Sequence, residues 1–285
     1  MKTLIVMFCV LFVMTSQSLI SQDATGPWKT GGALGLNFNQ VGLKNWSGGG
    51  ENSLAVSGLV NVFANMKKDK ISWDNTLELG YGLVKQGSLG VRKSDDKIVM
   101  TSKFGREAVQ YWSYTGLLDF RTQFANGFDY KTTPKSKISE FMSPAYVMLS
   151  LGAEFKPSDN FFALISPVTG KMTIVLDDTL SHYGAYGVDP GKTVRSELGW
   201  NINSVYKQKL MENTDFQTKL NLFSSYKDLK YIDVNWENTL LLKVNKYITS
   251  TVSTNVLFDN DIKDTDGKAK WQMKEVIAVG FLYNF

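Results

Sequence analysis

The groups in this chain able to do chemistry fall into three sets. Ser181 and His182 are adjacent, and His182 is the only histidine. A serine hydroxyl activated by an imidazole is the core of ester hydrolysis. Neighbouring side chains on an extended segment point apart, so this pair needs a turn before the ring can take the hydroxyl proton. No G-x-S-x-G context is present. A lipid-modifying hydrolase working through His182 therefore stands as an alternative, and a loop histidine without a catalytic role is expected. The second set, Asp259, Asp261, Asp264 and Asp266 before Gly267, offers oxygen ligands for calcium. Its spacing departs from the EF-hand pattern and no bidentate Glu follows, so a solvated loop is expected, with no metal and no cofactor.

The third set is larger and dispersed: Asp74, Glu78, Asp119, Arg121, Glu154, Arg195, Glu197, Lys219, Glu237 and Lys243. Each stands in a segment where apolar and other residues alternate, on the side opposite the apolar one. Period two means strands, with the charges on one face. Enclosed in a narrow barrel, such groups persist as paired networks, because an unpaired charge in low dielectric costs several kcal/mol. Their competing role is to line a water-filled pore, and the sequence leaves both open.

Twelve segments carry the alternation. In Trp28 to Phe38 the set Trp28, Leu34, Leu36 and Phe38 opposes small or polar residues. Ser53 to Met66 follows, then Ile71 to Val84, where Trp73, Leu77, Leu79 and Tyr81 oppose Asp74 and Glu78. Lys97 to Phe104 is weaker. In Tyr111 to Ala125, Trp112, Tyr114, Leu118, Phe120 and Phe124 oppose Asp119 and Arg121. At about 3.3 Å per residue and a tilt of about 40°, that last segment spans roughly 30 Å of height. Ala145 to Phe155 comes next, then Phe161 to Leu176, expected to bend or bulge at Pro167 and Gly170 because proline cannot donate to a ladder. Val194 to Gln208, Thr214 to Tyr226, Tyr231 to Val244 and Ile248 to Phe258 complete the middle of the chain. The last, Trp271 to Phe285, is apolar and aromatic on one face and ends in phenylalanine. Val279, Phe281, Tyr283 and Phe285 are read as the closing-strand assembly signal of a barrel.

An even strand count puts both termini on one side. The longer connections (Asn39 to Asn52, Lys85 to Asp96, Asn126 to Pro144, Asp177 to Lys192, Asp259 to Ala269) then fall at one end. The shorter ones (Lys67 to Lys70, Gly105 to Gln110, Lys156 to Asn160, Lys209 to Asn213, Asn245 to Lys246) fall at the other. The parity depends on the weak strand at Lys97.

Residues 1–21 read as a cleaved signal peptide: Lys2, then the apolar run Leu4 to Met14, then small polar residues. The single cysteine, Cys9, lies inside that run, so residues 22–285 form one domain without thiol chemistry or disulfides. The charge balance of 31 basic against 27 acidic residues gives +4, with no nucleic-acid signal. After the signal no run of about 18 apolar residues remains, so a helical span is excluded, and a membrane reading rests on strands.

Several short motifs resemble those of exported outer-membrane β-barrel proteins of Bacteroidota that carry a domain of unknown function. They are Trp46-Ser47-Gly48-Gly49-Gly50, the run Asp119 to Phe124 followed by Gly127, Ser143-Pro144-Ala145-Tyr146, Ser166-Pro167 and the end Gly280 to Phe285. The resemblance implies the Gram-negative outer membrane as location and carries no activity. The expectation is an all-β, transmembrane, antiparallel up-and-down barrel of about twelve strands. It would act as a non-enzymatic channel or structural and assembly component, with outer-membrane lipid, the barrel assembly machinery during insertion and other outer-membrane proteins as partners. A soluble exported β-sandwich binding protein is the remaining alternative; its aromatic faces would meet in a core instead of pointing outward.

Overall fold

The computed structural model describes residues 26–43, 51–130, 132–263 and 267–285. The signal segment, the run from Trp46 to Gly50, and Asp264 and Asp266 lie outside them.

In chain order the strands are β1 (Trp28–Val41), β2 (Ser53–Lys68), β3 (Ile71–Gln86), β4 (Val91–Val109), β5 (Trp112–Thr122), β6 (Gly127–Asp129) and β7 (Ser136–Ser139). They continue as β8 (Ala145–Ser158), β9 (Phe161–Ile174), β10 (Val194–Met211), β11 (Thr214–Ser225), β12 (Asp233–Lys243), β13 (Ile248–Phe258) and β14 (Gln272–Asn284). β6 and β7 pair only with each other. The other twelve form one closed antiparallel barrel in sequence order, with β1 meeting β14. Closure removes the edges that an open sheet would leave, and it rules out the sandwich.

The alternation explains the wall. Residues paired across an antiparallel ladder share a face, so Leu36↔Phe281, Val252↔Ile277 and Trp73↔Phe104 put apolar groups together on the outside. Polar residues such as Asn201, Ser150 and Thr169 are fully buried inside. At β9 the phase slips: Ile165 and Val168 are both exposed while Ser166 and Thr169 are both buried. The register to both neighbours shifts there, so Pro167 occupies a bulge. Gly170, expected to share the bend, pairs regularly with Leu149 and Leu198.

The weak segment at Lys97 turns out to belong to the longest strand, β4, at 19 residues. The expected ten-residue loop before it is a tight turn in which Gly87 and Gly90 both take positive φ, and the expected turn at Gly105 to Gln110 shrinks to Gln110 and Tyr111. Arg92, Lys93, Asp95 and Asp96 sit in the ladder at its rim, where apolar alternation is not required. β5 ends at Thr122 rather than Ala125, and β12 begins at Asp233 rather than Tyr231.

Connections alternate between a turn end, which also holds both described termini, and a loop end. Two loop-end segments expected to be irregular are folded. One contains the β6–β7 hairpin; the other contains a short helix, Asp178–His182, capped by the Asp177 carboxylate accepting from the Leu180 N–H at 2.8 Å. Val175, Leu180 and Val188 form a small apolar core there, with Ala185 and Tyr186 against it. The Tyr186 hydroxyl donates to the Ile138 carbonyl, which ties the helix to the hairpin.

Candidate functional site: the charged lumen

The inward charges occupy three levels. At the turn end, Lys103 of β4 donates to Glu154 of β8 and lies 3.6 Å from Asp74 of β3. Its Nζ also sits 4.1 Å from the centre of the Phe162 ring. Lys243 pairs with Asp215 at the same end.

At mid-height, Glu78 of β3 accepts from Lys97 of β4 at 3.1 Å and from Lys219 of β11 at 3.0 Å. β3 and β11 stand six places apart in the ring of twelve, so the second bond crosses the lumen. Twelve strands spaced about 4.8 Å and tilted about 40° would close a circle roughly 24 Å across. A Glu and a Lys reaching toward one another bridge only about 14 Å between α-carbons. The barrel is therefore flattened along this axis, and its lumen is spanned by side chains. Beside this bridge Arg121 grips Asp119 through Nε and Nη2 at 2.6 and 3.3 Å, a fork geometry that fixes both groups. Glu237 accepts from the Asn235 amide at 3.2 Å.

At the loop end each of two cations is shared by two carboxylates. Lys171 of β9 lies 2.6 Å from Asp233 and 3.8 Å from Asp259. Arg195 of β10 lies 2.9 Å from Glu197 and 2.6 Å from Asp261. Lys93 holds Asp96 at 2.9 Å, and Lys274 holds Asp95 across the rim. Two cavities open among these groups. One, of about 420 Å³, is bounded by Arg195, Glu197, Asp261 and Tyr231. The other, of about 330 Å³, is bounded by Arg121, Tyr146, Lys171 and Asp259. Phe223 and Asp233 form part of both walls.

Of the ten charges singled out from sequence, nine sit in ion pairs and Glu237 is hydrogen-bonded. Sequence reasoning did not single out their partners Lys97, Lys103 and Asp215, or Lys171, which pairs with Asp233 and Asp259; Asp261, the second partner of Arg195, was expected in a solvated loop. Three of these are inward lysines in the two segments whose faces were hardest to assign.

The other two sets are placed apart. The Ser181 hydroxyl is buried and donates to the Lys192 carbonyl at 2.7 Å. His182 is exposed and meets Tyr183 edge-on, so the structure does not bring the pair together. Asp259 accepts from the Asp261 N–H at 2.8 Å and faces Lys171, while Asp261 faces Arg195. These carboxylates turn toward the lumen and its cations. The closing strand is seated at the seam, where Phe285 and Gly32 exchange N–H to carbonyl bonds of 2.9 and 3.0 Å. Val279, Phe281 and Tyr283 face outward, each more than half exposed. A β-carbon at Gly32 would come within 2.7 Å of the Phe285 ring, so glycine is needed for that approach.

Residues 38–128 match the family model described as Protein of unknown function (DUF3078). No curated protein matches the chain. Among solved structures, the chain is similar to the translocator domain of the autotransporter NalP from Neisseria meningitidis, at 11% identity over 98% of this chain and 95% of that one, with a TM-score of 0.37. It is similar to an outer membrane channel from Pseudomonas putida F1, at 8% identity over 94% and 98%, with a TM-score of 0.42. It is also similar to the outer membrane channel DcaP of Acinetobacter baumannii, at 10% identity over 93% and 99%, with a TM-score of 0.35. The barrel itself is established by the strand order.

Proposed function

We propose that this chain is an outer-membrane β-barrel whose lumen is a small-solute channel held closed at mid-height by the Glu78 ion pairs. The observation that carries the membrane part is the outer face. Trp73 and Trp236 are 40% and 46% exposed there, yet each indole N–H donates at 2.9 Å to a hydroxyl on the next strand, Ser102 and Thr218. Ser102 in turn donates to Asn75, whose amide donates to the Ala64 carbonyl. Exposed polar groups that satisfy one another suit a solvent without hydrogen-bonding capacity.

The address agrees with the resemblance to exported Bacteroidota barrels and with a signal peptide cleaved near residue 21. Lipid on the apolar belt and the barrel assembly machinery acting on the closing strand are the partners this reading implies. The channel part draws on the lumen: charged side chains bridge it, and cavities occupy its loop end. A bridge between side chains can open without moving a strand.

The test is conductance in a planar bilayer. Wild-type protein refolded in detergent should insert and stay closed or nearly so, and Glu78→Leu should conduct steadily. Failure of both to insert would overturn the membrane reading. Insertion of both with equally closed lumens would overturn the gate and leave a structural or assembly role.

A further inference from the structure

The two levels of charge above differ in stoichiometry. At mid-height one carboxylate, Glu78, holds two lysines. At the loop end Lys171 serves Asp233 and Asp259, and Arg195 serves Glu197 and Asp261. Four carboxylates thus share two cations. The deficit has a visible atom: Glu197 Oε1 takes the Arg195 guanidinium, whereas its Oε2 is buried and meets no donor among the described residues. The Glu197 side chain is 7% exposed and stands in the wall of the larger cavity. In the smaller cavity the Asn235 side-chain oxygen is likewise buried and without a donor. Burial, opposed by Lys171 and reinforced by Asp233, holds the Asp259 carboxyl above its usual range, as expected where cations are too few.

The walls are not uniformly polar. Phe223 points into the lumen, is 2% exposed and lies between the two cavities. The Lys171 ammonium already sits 5.1 Å from its ring centre, so that face is used to stabilise a cation. Tyr231 and Tyr146 add further aromatic surface. No group of three or more His, Cys, Asp or Glu among the described residues is arranged to hold a metal ion. The missing positive charge fits a cation carrying an apolar body better than a bare metal.

We infer that the loop-end cavities form a binding site for an organic cation, an alkyl- or arylalkylammonium whose charged head meets Glu197 and Asp233 and whose body packs on Phe223. Such a ligand would give Glu197 Oε2 the donor it lacks and neutralise part of the excess negative charge. The size is consistent, since cavities of about 300 Å³ and above accommodate small organic ligands. The site lies on one side of the mid-height bridge, so binding requires no conduction, and the inference stands or falls separately from the channel reading.

The test is calorimetric titration of the full chain, refolded in detergent, with 2-phenylethylammonium. 3-Phenylpropionate serves as the anionic probe of similar body and 2-phenylethanol as the neutral one. The cation should bind at least tenfold more tightly than either, and the preference should shrink as salt is added. Glu197→Gln should weaken cation binding five- to tenfold, and Asp215→Asn, at the turn end, should leave it unchanged. Equal binding of the neutral probe would overturn the inference, leaving a plain apolar cavity. So would absence of binding, or a Glu197→Gln protein that folds and binds like wild type. If Glu197→Gln does not fold, the comparison of the three probes on wild-type protein decides alone.

Discussion

The mid-height bridge and the loop-end compartment are built from the same side chains and behave as opposites. Around Glu78, with Asp119, Arg121 and Glu237 beside it, three carboxylates stand among three cations, and the Glu78–Lys219 bond joins two opposite walls. Around Lys171 and Arg195 the carboxylates are in excess and the cations are spread among them, which leaves space and negative charge. The lesson is that lumen charge is informative through local stoichiometry, and net charge over the whole barrel hides it. A bridge with its charges matched closes a lumen; a compartment short of cations is prepared for one.

The sharpest way to break this comparison is to remove the shared centre of the loop-end group. Lys171→Met leaves Asp233 and Asp259 facing each other without their ammonium, whose side chain is 6% exposed. It should cost about 3–5 kcal/mol in denaturant unfolding, the range for breaking a buried pair. Asp259→Asn, which relieves the excess, should be neutral or stabilising. Equal losses from both would mean that the stoichiometry has no energetic meaning.

A somewhat smaller effect is expected at mid-height. Glu78→Leu strands Lys97 and Lys219, but each is more than a third exposed and can rehydrate. The cost should be about 3 kcal/mol or less, and Lys219→Met, which leaves Glu78 with Lys97, should cost less than half as much. A larger loss for Lys219→Met than for Glu78→Leu would remove Glu78 from the centre of the bridge.

The smallest effect is a dependence on pH at the loop end. Burial raises the Asp177 carboxyl, but the Lys137 ammonium and the Leu180 N–H outweigh it and hold the group below its usual 3.8. Its contribution is complete above that pH and is lost as pH falls through the lowered value. Hydrogen bonds to Asp177 and then Glu140 raise Lys137 above 10.5, so its contribution is complete below 10.5 and is lost as pH rises through the raised value. The tether from the β6–β7 hairpin to the short helix should hold between roughly pH 4 and 10. Asp259, raised instead of lowered, has the opposite sign: its cost is relieved as pH falls toward 3.8. Protection against hydrogen exchange at Ser136–Ser139, measured relative to the intrinsic rate at each pH, should fall below pH 4 in wild type and already at neutral pH in Asp177→Asn. Indifference to both changes would show that the tether does not hold the hairpin.

The fold was largely legible because a wall with one apolar face must alternate, and the long apolar faces of β3, β5 and β14 state this plainly. The ends of β4 were not legible, since Arg92 to Asp96 and Arg106 to Val109 lie at the rims, where nothing forces an apolar outside. In β9 the Pro167 bulge shifts the phase, which hid Lys171 as an inward residue. The site was half legible. Carboxylates opposite apolar groups identified the lumen face, but Glu78 and Lys219 are 141 residues apart, and no local pattern links them. Asp259 sits just past a strand end, where alternation has no room to show which way it faces.

The seam between β1 and β14 carries a consequence for how the barrel comes to exist. Its register runs only from Ala33↔Asn284 to Phe38↔Val279, the shortest of the twelve ladders. Every other ladder joins barrel strands that follow one another in the chain, with only the β6–β7 hairpin set between β5 and β8, whereas this one joins residues roughly 240 to 250 apart, a loop whose closure costs on the order of 5 kcal/mol in chain entropy. The molecule is thus a long ribbon fastened by one short clasp. The clasp should be the last ladder to form and the first to part under load, and the ring of Phe285 resting on Gly32 is its catch.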